Sequence, residues 1–301
     1  MNTSFIHGVI VPILTPIDEK EKIDERILRR MIDYVIKGGV HGILLFGSNG
    51  EFFAVDEEDK KRGLEIALHQ VAGRVPVYYG IGDIRTHDAI RHAQIAHANG
   101  AQGISVLPPM FIEPSETDLF EFYSAVANAV PTLPVIVYNN PRIGYGITPR
   151  LLSRLAHNVK NIVGVKDSSG NISNLAEYIR LTRDVGFKVF AGKDTTILAA
   201  LAQGAVGCVA TTANVVPELV VEIYGKFMEG DLPAAREAQF HLLPIRNCID
   251  LASFPAGTKD LANARGLNVG RPYLPNNLSD SKIQTFMKYV LSQEGLQEKD
   301  M

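Results

Sequence analysis

Cysteine is scarce: Cys208 and Cys248 are the only two in 301 residues. Two so far apart make neither a disulfide framework nor a CxxC metal or redox site, and such usage fits a reducing, cytoplasmic setting. No apolar stretch approaches the ~18 uninterrupted residues of a membrane span. Neither sign of charge dominates, since 30 Lys+Arg stand against 33 Asp+Glu for a formal charge of −3, with no long run of either. That balance leaves no electrostatic footprint for a nucleic acid or an anionic membrane. The opening MNTSFIHGVIVPILTP lacks a basic n-region and a small-residue cleavage site, so no signal peptide is expected. Phosphate-binding loops are missing too: Gly80-Ile81-Gly82 and Gly144-Tyr145-Gly146 lack the third glycine of a dinucleotide turn, and no GxxxxGK[ST] occurs.

What is present is a 46% hydrophobic chain whose short apolar runs alternate with longer amphipathic stretches. A chain of this size can bury about three quarters of its unfolded surface, as two domains or one large barrel. Eight runs read as strands: Val9 to Leu14, Gly42 to Phe46, Val75 to Tyr79, Gly103 to Leu107, Val135 to Tyr138, Ile162 to Lys166, Lys188 to Ala191 and Gly207 to Thr211. Their continuous apolarity suits parallel strands buried on both faces. Asp24, Asp56, Thr86 and Ser115 read as helix N-caps, the last with Asp118 in a capping-box spacing. Gly39-Val-His-Gly42, Gly100-Ala-Gln-Gly103 and Gly204-Ala-Val-Gly207 form a weak repeat, each ending a helix and opening a strand. The pattern predicts an α/β fold, a (β/α)8 TIM barrel over residues 1–229, followed by a C-terminal helical region over 230–301.

In such a barrel the reactive groups stand at the carboxyl ends of strands. The sixth run ends in Lys166, on the same face as Gly164. Desolvation there would disfavour the ammonium and give an amine able to attack a ketone, whereas a lysine snorkelling to solvent is the plainer reading. The fifth run ends in Tyr138, one strand away, a phenol that could shuttle protons or simply fill the core. After the second run, Gly47-Ser48-Asn49-Gly50-Glu51 could present backbone N–H groups to a carboxylate, or form an ordinary polar turn.

These motifs together resemble the dihydrodipicolinate synthase/N-acetylneuraminate lyase family of pyruvate-dependent class I aldolases. The resemblance covers nearly the whole chain: VPILTP, GSNGE, YNNP with Tyr138, GVKDSSGN with Lys166, FAGKD, ATTAN and the helical tail. It implies that Lys166 forms a Schiff base with pyruvate, that Tyr138 relays protons, and that Gly47, Ser48 and Asn49 hold the pyruvyl carboxylate. It implies no metal and no cofactor beyond the covalent imine on Lys166, and a homotetramer built as a dimer of dimers. Departures bear on the branch. The synthases have two threonines where Ser48 and Asn49 stand, and a second relay tyrosine in the region of Phe111. The lyase branch resembles this chain at Ser168, Asp194 and Thr211, with Thr195 in place of a glutamate; Gly192 and Asp194 lie in the FAGKD motif. Arg142 falls near the synthase arginine that binds the second substrate's carboxylate, and its plainer reading is a surface arginine.

The resulting expectation is a lyase cleaving a 4-hydroxy-2-oxo acid or 2-keto-3-deoxy sugar acid to pyruvate and an aldehyde. Alternatives are 4-hydroxy-tetrahydrodipicolinate synthase and a non-catalytic keto-acid-binding family member. A metal enzyme is disfavoured because His87, His92 and His97 are each rotated about 140° from the last and read as solvated helix residues. A phosphate-sugar barrel enzyme using Gly192-Lys193-Asp194-Thr195 ranks below these, since ATTAN lacks a glycine-rich partner loop.

Overall fold

The computed structural model describes residues 1–296. Eight parallel strands close in sequence order into a barrel, β8 pairing with β1. They are β1 (Gly8–Pro12), β2 (Gly42–Leu45), β3 (Val77–Ile81), β4 (Gly103–Val106), β5 (Val135–Asn139), β6 (Ile162–Asp167), β7 (Lys188–Ala191) and β8 (Gly207–Val209). Around them lie α1 (Glu25–Lys37), α2 (Glu57–Val71), α3 (Thr86–Ala98), α4 (Glu116–Ala129), α5 (Pro149–Asn158), α6 (Ile172–Thr182), α7 (Ile197–Gln203) and α8 (Pro217–Met228). Beyond the barrel follow α9 (Leu232–Ile249), α10 (Ala256–Ala264) and α11 (Ser281–Gln293).

Local chemistry sets most boundaries. Asp24 accepts the N–H of Ile27, Asp56 that of Asp59, and Ser115 closes a full capping box with Asp118. Thr86 differs from its expected role: it is the first residue of α3, and Arg85 stands at the N-cap without a side-chain bond. In the glycine repeat, Gly39, Gly100 and Gly204 take φ of 86°, 90° and 104°. The N–H of the next residue in each turn bonds back to Val35, Ala96 or Ala200. This left-handed helix stop turns the chain directly into β2, β4 and β8.

Three strands shift from the apolar runs, and β1 is the first, beginning at Gly8 and ending at Pro12 rather than Leu14. β3 begins at Val77 and continues through Gly80 and Ile81, because a Cβ at Gly80 would lie 2.2 Å from the Phe46 carbonyl oxygen and only glycine lets the two backbones approach. β8 ends at Val209, and Thr211–Asn214 form a 3₁₀ turn. Inside the barrel Ile10, Leu44, Tyr78, Ile136, Phe190 and Val209 pack into a plug, separate from the larger core between strands and helices. The floor is therefore closed, and chemistry is confined to the open carboxyl end. Leu242 and Ile245 of α9, Leu261 of α10 and Met287 of α11 join the outer core, which carries the tail's residues 249–258 over the barrel mouth. No helix among the described residues is long and apolar enough to cross a membrane.

Candidate active site

A cavity of about 510 Å³ opens at the carboxyl ends of the strands, and Ser48, Asn49, Tyr138, Lys166, Ser168 and Thr211 all line it. Arg142 and Gly192 line it as well. β5 and β6 pair in a register that sets Tyr138 opposite Lys166. The Lys166 side chain is 3% exposed, and its Nζ lies 4.0 Å from the centre of the Tyr138 ring. An ammonium over a phenol face is attracted by the ring's quadrupole, which fixes the amine at the cavity wall.

The Tyr138 hydroxyl lies 3.3 Å from Ser48 Oγ and accepts a hydrogen bond of 3.0 Å from Asn140 Nδ2. Burial pushes this phenol's pKa up. The Lys166 charge, with hydrogen bonding to Ser48, Ser168 and Lys166, outweighs burial and holds it below the ordinary value. A buried phenol that gives up its proton more readily is suited to proton transfer near neutral pH.

The turn carrying Ser48 and Asn49 owes its shape to contacts rather than to the freedom of its glycines. Phe46 and Glu51 take the left-handed φ values, 51° and 53°. Gly50 is needed for space: a Cβ there would lie 3.0 Å from the Ile13 carbonyl oxygen. Among the described residues the backbone N–H groups of Ser48 and Asn49 have no hydrogen-bond acceptor. Asn49 spans the mouth of the barrel, donating to Thr211 Oγ1 at 2.8 Å and accepting from Thr258 Oγ1 at 3.2 Å. Below it Glu51 and Lys259, both without solvent exposure, form an ion pair of 2.7 Å. Glu51 also accepts the N–H of Tyr273 at 2.9 Å, and Lys259 donates to the Arg271 carbonyl at 2.8 Å. This buried pair ties the catalytic-face turn to the C-terminal helices.

Three expectations are corrected. Asp194 is buried and does not line the cavity: its carboxylate accepts the N–H groups of Thr211 and Thr212 and the Thr212 hydroxyl, so it shapes the turn after β8. Gly47 does not line the cavity, and its carbonyl accepts the N–H of Phe52 at 3.4 Å. His92 is buried, its Nδ1 2.6 Å from Asp83, whereas His87 and His97 are exposed. Ser168 lines the cavity but its hydroxyl donates to the Gly192 carbonyl at 3.0 Å.

Other lining residues escaped the sequence reading. Asn140 sits in YNNP itself, and its type beside Tyr138 was the available signal. Thr258 and Arg246 come from the tail, where no strand-end rule applies. The guanidinium of Arg142 rests on the Phe254 ring at 4.0 Å, a wall contact that also depends on the tail.

The dihydrodipicolinate synthetase family model matches residues 5–294. The chain belongs to this family. A 4-hydroxy-tetrahydrodipicolinate synthase of Thermus thermophilus is 34% identical over 295 residues, 97% of this chain and 98% of that one. Among solved structures, YagE of E. coli K12, described as a prophage protein of the dihydrodipicolinic acid synthase family in complex with pyruvate, is 30% identical with a TM-score of 0.92, covering 96% of this chain and 99% of its own. A monomeric dihydrodipicolinate synthase variant is 26% identical with a TM-score of 0.93, covering 97% and 98%. This family member is thus a lyase-class enzyme that forms or cleaves carbon–carbon bonds, on a TIM barrel with a helical extension.

Proposed function

We propose that this dihydrodipicolinate synthetase family enzyme works through an imine between Lys166 and the C2 carbonyl of pyruvate or a larger 2-oxo acid. The observation that carries the reading is the buried Lys166 amine on the cavity wall, 4.0 Å from the ring centre of its in-register neighbour Tyr138. Attack of the neutral amine on C2 gives a carbinolamine. Tyr138 supplies the proton with which the hydroxyl leaves as water, and the protonated imine becomes the electron sink. In cleavage, removal of the C4 hydroxyl proton breaks C3–C4, releases an aldehyde and leaves the enamine of pyruvate; condensation is the reverse. The uncommitted N–H groups of Ser48 and Asn49 are suited to hold the keto acid's carboxylate. The reaction needs no cofactor besides the lysine.

For the second substrate, a 4-hydroxy-2-oxo acid or 2-keto-3-deoxy sugar acid suits a wall that offers Ser168, Thr211 and Arg142. The synthase reading is favoured by the name of the Thermus thermophilus relative. Asn49, hydrogen-bonded to two threonines, and Phe111, 95% exposed, stand against it, because neither can pass a proton. The exposed Phe111 suits a subunit contact in a homotetramer, which light scattering would test. Two buried free cysteines suit a cytoplasmic enzyme.

Borohydride reduction in the presence of pyruvate should leave a mass adduct on Lys166, and Lys166→Ala should abolish it. Absence of an adduct on the parent enzyme would favour a binding protein. A panel of aldehydes offered with pyruvate, the synthase's own included, then separates the two substrate readings by which aldehyde is consumed.

A further inference from the structure

The cavity carries more positive charge than a single keto-acid carboxylate needs. Besides Lys166, its wall contains Arg142, Lys193 and Arg246, and among the described residues the one carboxylate on it is Asp250. Arg246 is the unusual member. It projects from α9, its side chain is 9% exposed, and among the described residues its guanidinium makes no hydrogen bond; Nη1 has only a charge contact of 2.9 Å with Asp250 Oδ1. Asp250 is itself half in water, and Lys193 competes for it at 3.9 Å. The buried Nη1 thus lacks a hydrogen bond and has only a half-exposed carboxylate to offset its charge, a costly position unless something else fills the donor.

We infer that Arg246 is a specificity-determining residue that binds a second anionic group, a carboxylate or a phosphate, at the end of the substrate remote from the keto function. The inference deepens the reading of Lys166 as the residue that takes the keto end, and it commits the enzyme to dianionic substrates. A cavity of about 510 Å³ has room well beyond a three-carbon keto acid. The planar guanidinium, with several N–H donors and no acceptor, matches either anion in a two-pronged contact, and burial strengthens that contact by excluding water. Arg142, whose guanidinium carbon lies 4.0 Å from the Phe254 ring centre, and Lys193 add positive potential to the same wall. Because Arg246 and Asp250 both sit in the helical tail, the tail would decide which second substrate the barrel accepts.

Binding of 2-oxoglutarate and 2-oxopentanoate, measured by calorimetry, tests this directly, since the two share a five-carbon chain and differ in the terminal carboxylate. The parent enzyme should prefer the dianion by about tenfold or more, the scale of one charged hydrogen-bonded contact. Arg246→Met should collapse the ratio of the two affinities towards unity, and Arg246→Lys should restore part of it. Asp250→Asn, which removes the competing carboxylate from a half-exposed position, should raise the ratio without burdening the fold. Competition by inorganic phosphate against 2-oxoglutarate would assign the subsite to a phosphorylated terminus, and lack of it to a carboxylate. Equal affinity of the parent for both acids, or an equal loss for both in Arg246→Met, would overturn the inference. Reductive trapping of pyruvate on Lys166 of the parent reports on the Schiff-base reading separately, because calorimetry needs no imine.

Discussion

Replacing Lys259 by methionine would strike the active site from beneath. Its ammonium and the Glu51 carboxylate meet at 2.7 Å with no solvent exposure on either side. With the ammonium gone, Glu51 keeps only the Tyr273 N–H as a donor, and the Arg271 carbonyl loses its partner. Leaving one member of a buried pair uncompensated costs about 3–5 kcal/mol. At roughly 2 °C per kcal/mol for a chain of this size, melting should fall by about 6–10 °C. Adding Glu51→Gln removes the stranded charge while an amide oxygen still accepts from Tyr273, so the double variant should recover about 2 kcal/mol relative to additive losses. Thermal and urea unfolding of the two single variants and the double complete the cycle. Turnover should drop alongside, because Lys259 follows Thr258, which holds Asn49, and Glu51 ends the turn bearing Ser48. A Lys259→Met protein melting within about 2 °C of the parent, or a double variant whose loss equals the sum of the two single losses, would refute the reasoning.

Other consequences are as direct. Tyr138→Phe should lower kcat by about 10²–10⁴-fold while pyruvate can still be trapped on Lys166, as expected for loss of a proton-transfer group. Tyr138 should ionise below the usual value of about 10 in the parent. Its deprotonation then favours the folded state, a contribution complete above the unfolded-state pKa and lost as pH falls through the folded one. In Lys166→Met burial acts without the opposing charge and the phenol should titrate above that value; an ultraviolet difference titration against Tyr138→Phe reads both. Asn49→Ala removes the bridge between Thr211 and Thr258, with an expected loss of about 1–3 kcal/mol and a raised KM for pyruvate. Gly80→Ala should cut activity, since its Cβ would press on the Phe46 carbonyl at 2.2 Å and displace the turn; a kinetically normal variant would show that this approach is not needed.

Much of the frame was legible because strand burial and helix capping are local chemistry. Eight continuous apolar runs correspond to eight strands, and Asp24, Asp56 and Ser115 cap where their side chains predict. Thr86 does not cap: it is already the first residue of α3, and Arg85 stands at the N-cap. β3 lies two residues further on than its apolar run, which stops at Tyr79, because Gly80 stays in the strand, where its lack of a Cβ serves packing against Phe46. At the site, strand-end position was enough to single out Lys166 and Tyr138. It said nothing of Asp194, whose carboxylate could as well have faced a ligand as the Thr211 and Thr212 N–H groups that take it.

By itself the sequence determined the barrel, the strand ends that carry the amine and phenol, and the family, since each rests on periodicity or on residues adjacent in the chain. The tertiary structure alone decided what surrounds them. Arg246, Thr258 and Lys259 reach the site from helices whose sequence pattern reports only which face is apolar. Whether a buried cation meets a buried carboxylate, as Lys259 meets Glu51 from far along the chain, or only a half-exposed neighbour on its own helix end, as Arg246 meets Asp250, depends on which elements pack together, and no local rule encodes that meeting.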